Sequence, residues 1–403
     1  MAAGEGRGGK VELADIFSAH GLRYRQTHHL ALAQRRAMRA IETCRTAALG
    51  GHRDVCDLCG AIRIIYNSCR NRHCAKCQTL AKQRWLEARG AELLPIGYFH
   101  FVFTLPHTLN PLAQGNPRPI YNLLFHAAGS TLTSFARNPN HLGAELGVTA
   151  ILHTWGQNLS QHIHIHAIVT GGGLTPTGTR WIRARRRFLF PVKALSRLFR
   201  GRYLDGLRHA FSAGELSFRG ETAHLAEPAA FARWLAKLRR HDWVVYAKAP
   251  FAGPRQLLDY LGRYTHRVAI SNERILGLDN GMVRFRWRDR AHGDVLKVME
   301  LEAEEFIRRF LLHVVPDGFV RIRHFGLLAN RTRKAKLDRS RTLLGQDPAP
   351  LETATQSVRD LMLRLTGVDI DLCPVCHRGR MHVMEIILLT RAPGPPVMIW
   401  DSS

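Results

Sequence analysis

The chain has 403 residues, 45% of them hydrophobic and 22% charged, which is enough to bury real cores in two or three domains. Fifty-eight Lys+Arg against 32 Asp+Glu give a formal net charge of +26; this points to a polyanionic partner, and nucleic acid is the usual one. A membrane is disfavoured, because no apolar run reaches 18 residues, and the N-terminus lacks the apolar centre of a secretory signal. A reducing cytoplasm is therefore expected, and the eight cysteines read as metal ligands or free thiols before disulfides.

Residues 11–48 read as helices from their apolar spacing. A cysteine-rich segment follows. Cys56-x2-Cys59 and Cys74-x2-Cys77 are two knuckles separated by fourteen residues, and together they offer the four thiolates that structural zinc prefers. Cys44, His52, Cys69 and His73 could form a second zinc site. Alternatively, those cysteines are small buried side chains and the histidines touch DNA. Arg70 and Arg72, between the knuckles, suit phosphate or base contacts.

Residues 78–93 continue as a basic helix. YFHFVFTLPH (98–107) reads as a strand, 119–137 as a helix opened by Pro119, and 144–155 as a second strand. The third strand, QHIHIHAIVTGGG, carries the most informative pattern. Residues two apart on a strand share a face, so His162, His164 and His166 line one side and the apolar residues between them the other. Neighbouring imidazoles on that face stand about 6.5–7 Å apart along the backbone and can converge on one ion. The triple glycine is expected to end this strand and permit a close backbone approach.

RWIRARRR (180–187) holds five arginines beside Trp181. Arg183, Arg185 and Arg186 fit a phosphate backbone, with Trp181 available for stacking. Helices over 191–213 and 228–239 and a strand over 243–251 follow. Pro254 then opens a helix whose buried stripe is Leu257, Leu258 and Leu261, leaving Tyr260 and Tyr264 at its boundary. VRFRW (283–287) reads as a strand, 321–341 as a basic run and 345–353 as a linker. The tail carries a lone knuckle, Cys373-x2-Cys376, half of a zinc ribbon that His377 and His382 could complete. The fold class expected is α+β with a mainly antiparallel sheet and flanking helices. It divides into a helical zinc-binding domain (1–93), a catalytic domain (94–345) and a tail (346–403).

The stretches CDLCG…YNSCRNRHCAKCQ, YFHFVFTLPH, HTWGQNLSQHIHIHAIVTGGG and YLGRYTHRVAISN resemble, in this order, the two-tyrosine rolling-circle transposases of bacterial insertion sequences. These are HUH endonucleases, named for a His-hydrophobic-His strand. The resemblance spans about residues 40–330. It implies a divalent ion, magnesium or manganese, on His164 and His166, with His153 as third ligand. His162 is the rival, but three ligands along one strand would span about 13 Å. It further implies that Tyr260 and Tyr264 attack single-stranded DNA, leaving a 5′-phosphotyrosine and a free 3′-hydroxyl. Lys248, Arg263 and Arg267 are candidate phosphate partners. The implied partners are single-stranded transposon ends and target DNA, in a cytoplasmic, nucleoid-associated protein. An HUH replication initiator or relaxase shares this chemistry. A non-catalytic zinc-dependent DNA-binding regulator would leave the histidines and tyrosines idle.

Overall fold

The computed structural model describes residues 10–185, 189–251, 256–258, 260, 262, 269–289, 292–347 and 357–389. The chain divides into two compact units, one of residues 1–78 with 350–403 and one of residues 79–349. The C-terminal tail is thus part of the N-terminal unit rather than a separate third segment. The basic helix after the second knuckle belongs to the larger unit.

In the smaller unit, helices α1 (Leu13–Thr27) and α2 (Leu32–Thr43) pack together through Ile16, Phe17, Ala37, Met38 and Ile41, all buried. Next comes a hairpin of β1 (Gly51–Cys56) and β2 (Ile62–Tyr66). The tail pairs with it. Strand β12 (Met381–Ile387) runs antiparallel to β1, from Gly51 opposite Ile387 to Cys56 opposite Met381. The sheet order is β12-β1-β2.

The larger unit opens with α3 (Gln78–Gly90) and is built on an antiparallel sheet of order β11-β4-β5-β3-β7, with β6 paired to the end of β5. Its strands are β3 (Tyr98–Thr104), β4 (Glu145–Trp155), β5 (Gln161–Leu174), β6 (Trp181–Arg183), β7 (Val245–Phe251) and β11 (Ile322–Gly326). A separate antiparallel sheet, β8 (Ile275–Asp279), β9 (Met282–Asp289) and β10 (Val295–Glu302), lies in the same unit.

Period-2 alternation decides which side of the main sheet is core. Phe99, Phe101 and Phe103 of β3, Leu146, Val148, Ala150 and Leu152 of β4, and Ile163, Ile165, Ala167 and Val169 of β5 all join one buried cluster. This cluster packs against α5 (Pro117–Arg137) and α6 (Val192–Ser212). Burying one such phenylalanine contributes about 1.5–3 kcal/mol. The intervening residues therefore face the opposite side, where Tyr98, Ile151, Ile168, Leu257 and Tyr260 form a second, smaller cluster.

Strand β5 does not stop at its glycines; it runs through them to Leu174. They allow close approach instead. A Cβ on Gly171 would lie 2.4 Å from the Gly97 carbonyl oxygen, and one on Gly173 would lie 2.4 Å from that of Glu145. Two further helices, α4 (Asn110–Gly115) and α7 (Pro228–Arg240), flank the sheet. Among the described residues no helix is long and apolar enough to cross a membrane.

Candidate active site and cysteine centres

The face of the main sheet opposite α5 and α6 carries a cluster of histidines. His153 on β4 is the antiparallel partner of His164 on β5, and His166 follows on the same face. The three rings lie with centroids 4.6–5.4 Å apart. Their ligand atoms all fall within 4.8 Å of one another. Each residue is buried: His153 is 4% exposed, His164 8% and His166 7%. Three buried imidazoles so close are expensive unless something binds them together. His153 also stacks on Trp155, centroids 4.8 Å apart.

Cross-strand pairing, rather than spacing along one strand, brings the third imidazole in. His162 lies beside the trio, not in it. Its Nδ1 is 3.1 Å from His107 Nε2, and its ring is half-buried. Burial and the nearby His107 hold its imidazole below the usual histidine range.

The helical residues Gln256–Leu258, Tyr260 and Gly262 lie over this face. Leu257 is fully buried and Tyr260 is 9% exposed. The phenol points at the histidines. Tyr260 Oη lies 2.9 Å from His100 Nε2 and 3.2 Å from His166 Nδ1. His166 turns its other nitrogen, Nε2, to His164 Nε2 at 3.1 Å. Its two nitrogens thus face the imidazole trio and the tyrosine respectively.

His100, absent from the sequence-based site, sits on β3 between Phe99 and Phe101, 2.9 Å from His166 Nδ1. The alternation that assigns Phe99 and Phe101 to the core assigns His100 to the site face, so the signal was available in YFHFVF. Burial, with Lys248 nearby, pulls its imidazole down to about 3, so it is neutral and can accept a hydrogen bond. Lys248 itself is exposed on β7, opposite His100 in the ladder.

These groups line a cleft of about 560 Å³. Tyr246, Lys248, Trp287, Arg288 and Asp289 line it too. Asp289 is 5% exposed and is bound by Lys297 Nζ at 2.8 Å and His292 Nδ1 at 2.9 Å. Those partners hold its carboxyl at about 2.

The donor set of the trio is all nitrogen. Imidazole suits borderline transition ions, whereas magnesium takes oxygen ligands. The residues therefore fit a divalent transition-metal ion better than magnesium.

The cysteines group differently from the sequence expectation. Cys56 and Cys59 do not join Cys74 and Cys77. Cys44, Cys69, Cys74 and Cys77 come together instead, with Cys44 and Cys69 Sγ at 3.4 and 3.6 Å from Cys77 Sγ. Cys56 and Cys59 meet Cys373 and Cys376. The physical reason is the β1–β2 hairpin. Cys56 and Cys59 lie at its turn, beside the incoming tail, while Asn67 pairs back to Gly50 and Arg45 to Asn67, tying the chain just before Cys69 to the end of α2 and Cys44.

His52 and His73 are in neither quartet. His52 Nε2 lies 3.4 Å from Asp54 Oδ1, and His73 is buried, its backbone N–H donating to Asn71 Oδ1. His377 and His382 do not complete the tail knuckle; His382 Nε2 lies 3.4 Å from Asp57 Oδ2.

Arg70, Arg72, Arg183 and Arg185 are exposed. Trp181 is half-buried against Leu94, Leu327 and Leu337, which makes it a packing residue. Tyr264, Arg186, Arg263 and Arg267 lie outside the described residues.

Two regions of the chain match known protein families. Residues 147–336, which contain the histidine trio and Tyr260, match a family model described as "Putative transposase". Residues 16–105 match one described as "Transposase zinc-binding domain". The chain is 54% identical over 395 residues to "Putative transposase y4qJ" of Sinorhizobium fredii, covering 97% of this chain and 98% of that one. It is 29% identical over 291 residues to "Transposase for insertion sequence element IS801" of Pseudomonas savastanoi pv. phaseolicola, covering 72% of this chain and 68% of that one. No solved structure matches it. The chain belongs to the family of insertion-sequence transposases of the IS91 and IS801 type, with a transposase zinc-binding domain at its N-terminus.

Proposed function

We propose that this transposase cuts and rejoins single-stranded DNA through a covalent bond to Tyr260, in a rolling-circle transposition. The observation that carries the reading is the contact of Tyr260 Oη with His100 and His166 at the edge of the buried imidazole trio. A phenol with an ordinary pKa of about 10 is a poor nucleophile at neutral pH, so its surroundings must draw the proton away.

His153, His164 and His166 would hold the divalent ion. When bound, that ion polarises the scissile phosphate and offsets the charge developing on it. Were His166 to offer Nε2 to the ion, its Nδ1–H would be free to donate to Tyr260 Oη, and the phenol to donate to His100 Nε2. This is the outer-shell arrangement by which a ligating histidine is oriented. Tyr260 Oη attacks phosphorus in line. The P–O3′ bond breaks, the P–O(Tyr) bond forms, the phenolic proton passes to water while His100 keeps Oη oriented, and the departing 3′-oxygen takes a proton from water. The 5′-phosphotyrosine keeps the energy of the broken ester, so a 3′-hydroxyl can later reverse the step without ATP. A second tyrosine, Tyr264, would allow a second transfer.

Lys248 and Arg288 at the cleft supply positive charge for the DNA backbone, and Tyr246 and Trp287 supply stacking faces for unpaired bases. Cys44, Cys69, Cys74 and Cys77 hold the structural zinc of the N-terminal domain, whose exposed Arg70 and Arg72 contact DNA. Trapping of a labelled single-stranded oligonucleotide on the protein, with and without manganese, tests the proposal.

A further inference from the structure

Two pairs of cysteines from opposite ends of the chain meet at the hairpin turn after β1. Cys56 Sγ lies 3.8 Å from Cys376 Sγ, 320 residues away, and Cys59 Sγ lies 3.7 Å from Cys373 Sγ. All four sulfurs fall within 4.8 Å of one another. A disulfide needs about 2.0 Å, so these are separate thiols. Four sulfurs at about 2.3 Å around one tetrahedral zinc stand about 3.8 Å apart, which matches the distances found.

The two turns are built alike. The Leu58 N–H donates to Cys56 Sγ at 3.4 Å, and the Val375 N–H to Cys373 Sγ at 3.4 Å. The residue after the second cysteine is left-handed in both, Gly60 at φ +68° and His377 at φ +54°. In the tail a non-glycine residue adopts this conformation, which is strained unless its surroundings hold it. The Gly379 N–H donates to Cys376 Sγ at 3.3 Å.

The surroundings are fitted closely. Cys56, Cys373 and Met381 form a buried cluster. The Arg380 N–H donates to Asp57 Oδ1 at 2.8 Å. A Cβ on Gly379 would lie 2.4 Å from Cys56 Sγ.

We propose that Cys56, Cys59, Cys373 and Cys376 bind a second structural zinc, which clasps the C-terminal segment onto the N-terminal zinc-binding domain. The matched zinc-binding domain ends at residue 105 and the matched transposase region at 336, so neither includes the tail pair. The Cys44 quartet lies wholly inside the N-terminal match. The tail is then a structural part of the N-terminal domain, and shortening the chain before Cys373 leaves Cys56 and Cys59 as half a site.

The test is the zinc content of the full-length protein after adventitious metal is removed, read by mass spectrometry and by cobalt substitution. Wild type should hold two zincs per chain. The Cys373→Ser/Cys376→Ser variant, the Cys56→Ser/Cys59→Ser variant and the combination of all four should each hold one. The thiolate-to-cobalt absorption should fall by about half in each. One zinc in wild type, or two in the tail variant, overturns the proposal. Should the serine variants fail to fold, Cys376→His keeps a ligand. It should retain two metals and lose about one-eighth of the thiolate-to-cobalt absorption, and an unchanged spectrum overturns the proposal.

Discussion

Tyr260 Oη lies 3.2 Å from Nδ1 of His166, whose Nε2 faces His164 at 3.1 Å. One imidazole therefore links the proposed nucleophile to the proposed ion. The link depends on strand pairing: β3 and β4 flank β5, and their site-facing residues deliver His100 and His153 to opposite sides of the HIHIH strand.

The ligand assignment predicts unequal effects for two neighbouring histidines. His153→Ala should weaken manganese binding, measured by calorimetric titration, by at least tenfold. His162→Ala should leave it within about twofold, because its ring is engaged with His107 outside the trio. Equal losses would make His162 a ligand.

His100 is predicted to position the tyrosine. His100→Leu should slow single-turnover cleavage by about 10–100-fold, the usual cost of losing an outer-shell partner. His100→Gln restores an acceptor and should recover part of that loss, with substrate binding unchanged in both variants. Equal rates for the Leu and Gln variants would reduce His100 to packing.

The fold should weaken on mild acidification. Burial, more than any other influence, holds the His313 imidazole down to about 4, against about 6.5 in an unfolded chain. Between these values the unfolded chain binds the extra proton. The contribution is therefore present above about pH 6.5 and is lost as pH falls toward 4. At pH 5 the loss from this one group is roughly 2 kcal/mol. Denaturant titrations at pH 7.5 and pH 5 should show a smaller difference for His313→Asn than for wild type, and an equal difference would remove His313 as the cause.

Core and site faces of the same strand should separate experimentally. Phe101 is 1% exposed and faces α5 and α6, so Phe101→Ala should cost about 3–5 kcal/mol of stability. Folded protein should keep its manganese affinity within about threefold. A large affinity loss in the folded fraction would show that the faces are coupled.

Much of this architecture was legible because it is local. Period-2 alternation over 98–104 and 161–169, Pro at the start of helices, and knuckle spacing all act within a few residues. The pairing of distant segments was not. Cys56-x2-Cys59 and Cys74-x2-Cys77 look like one site in sequence, yet the ladder between β1 and β12 sends the first pair to a tail more than 300 residues away. The alternation in YFHFVF puts His100 on the face opposite the core, but only the pairing of β3 with β5 brings it to His166. Glycines 171–173 read as a stop because glycine often marks one, whereas here they let neighbouring backbones approach a strand that continues.

The covalent adduct is the most direct measurement of the central claim. Full-length protein is incubated with a 5′-truncated series of single-stranded transposon-end oligonucleotides and manganese, denatured, and the linked tyrosine identified by peptide mass spectrometry. The account predicts a manganese-dependent adduct on Tyr260 that Tyr260→Phe abolishes at that position and His164→Ala/His166→Ala suppresses throughout. No adduct in wild type with the matched end, or an undiminished Tyr260 adduct without the two histidines, would contradict it.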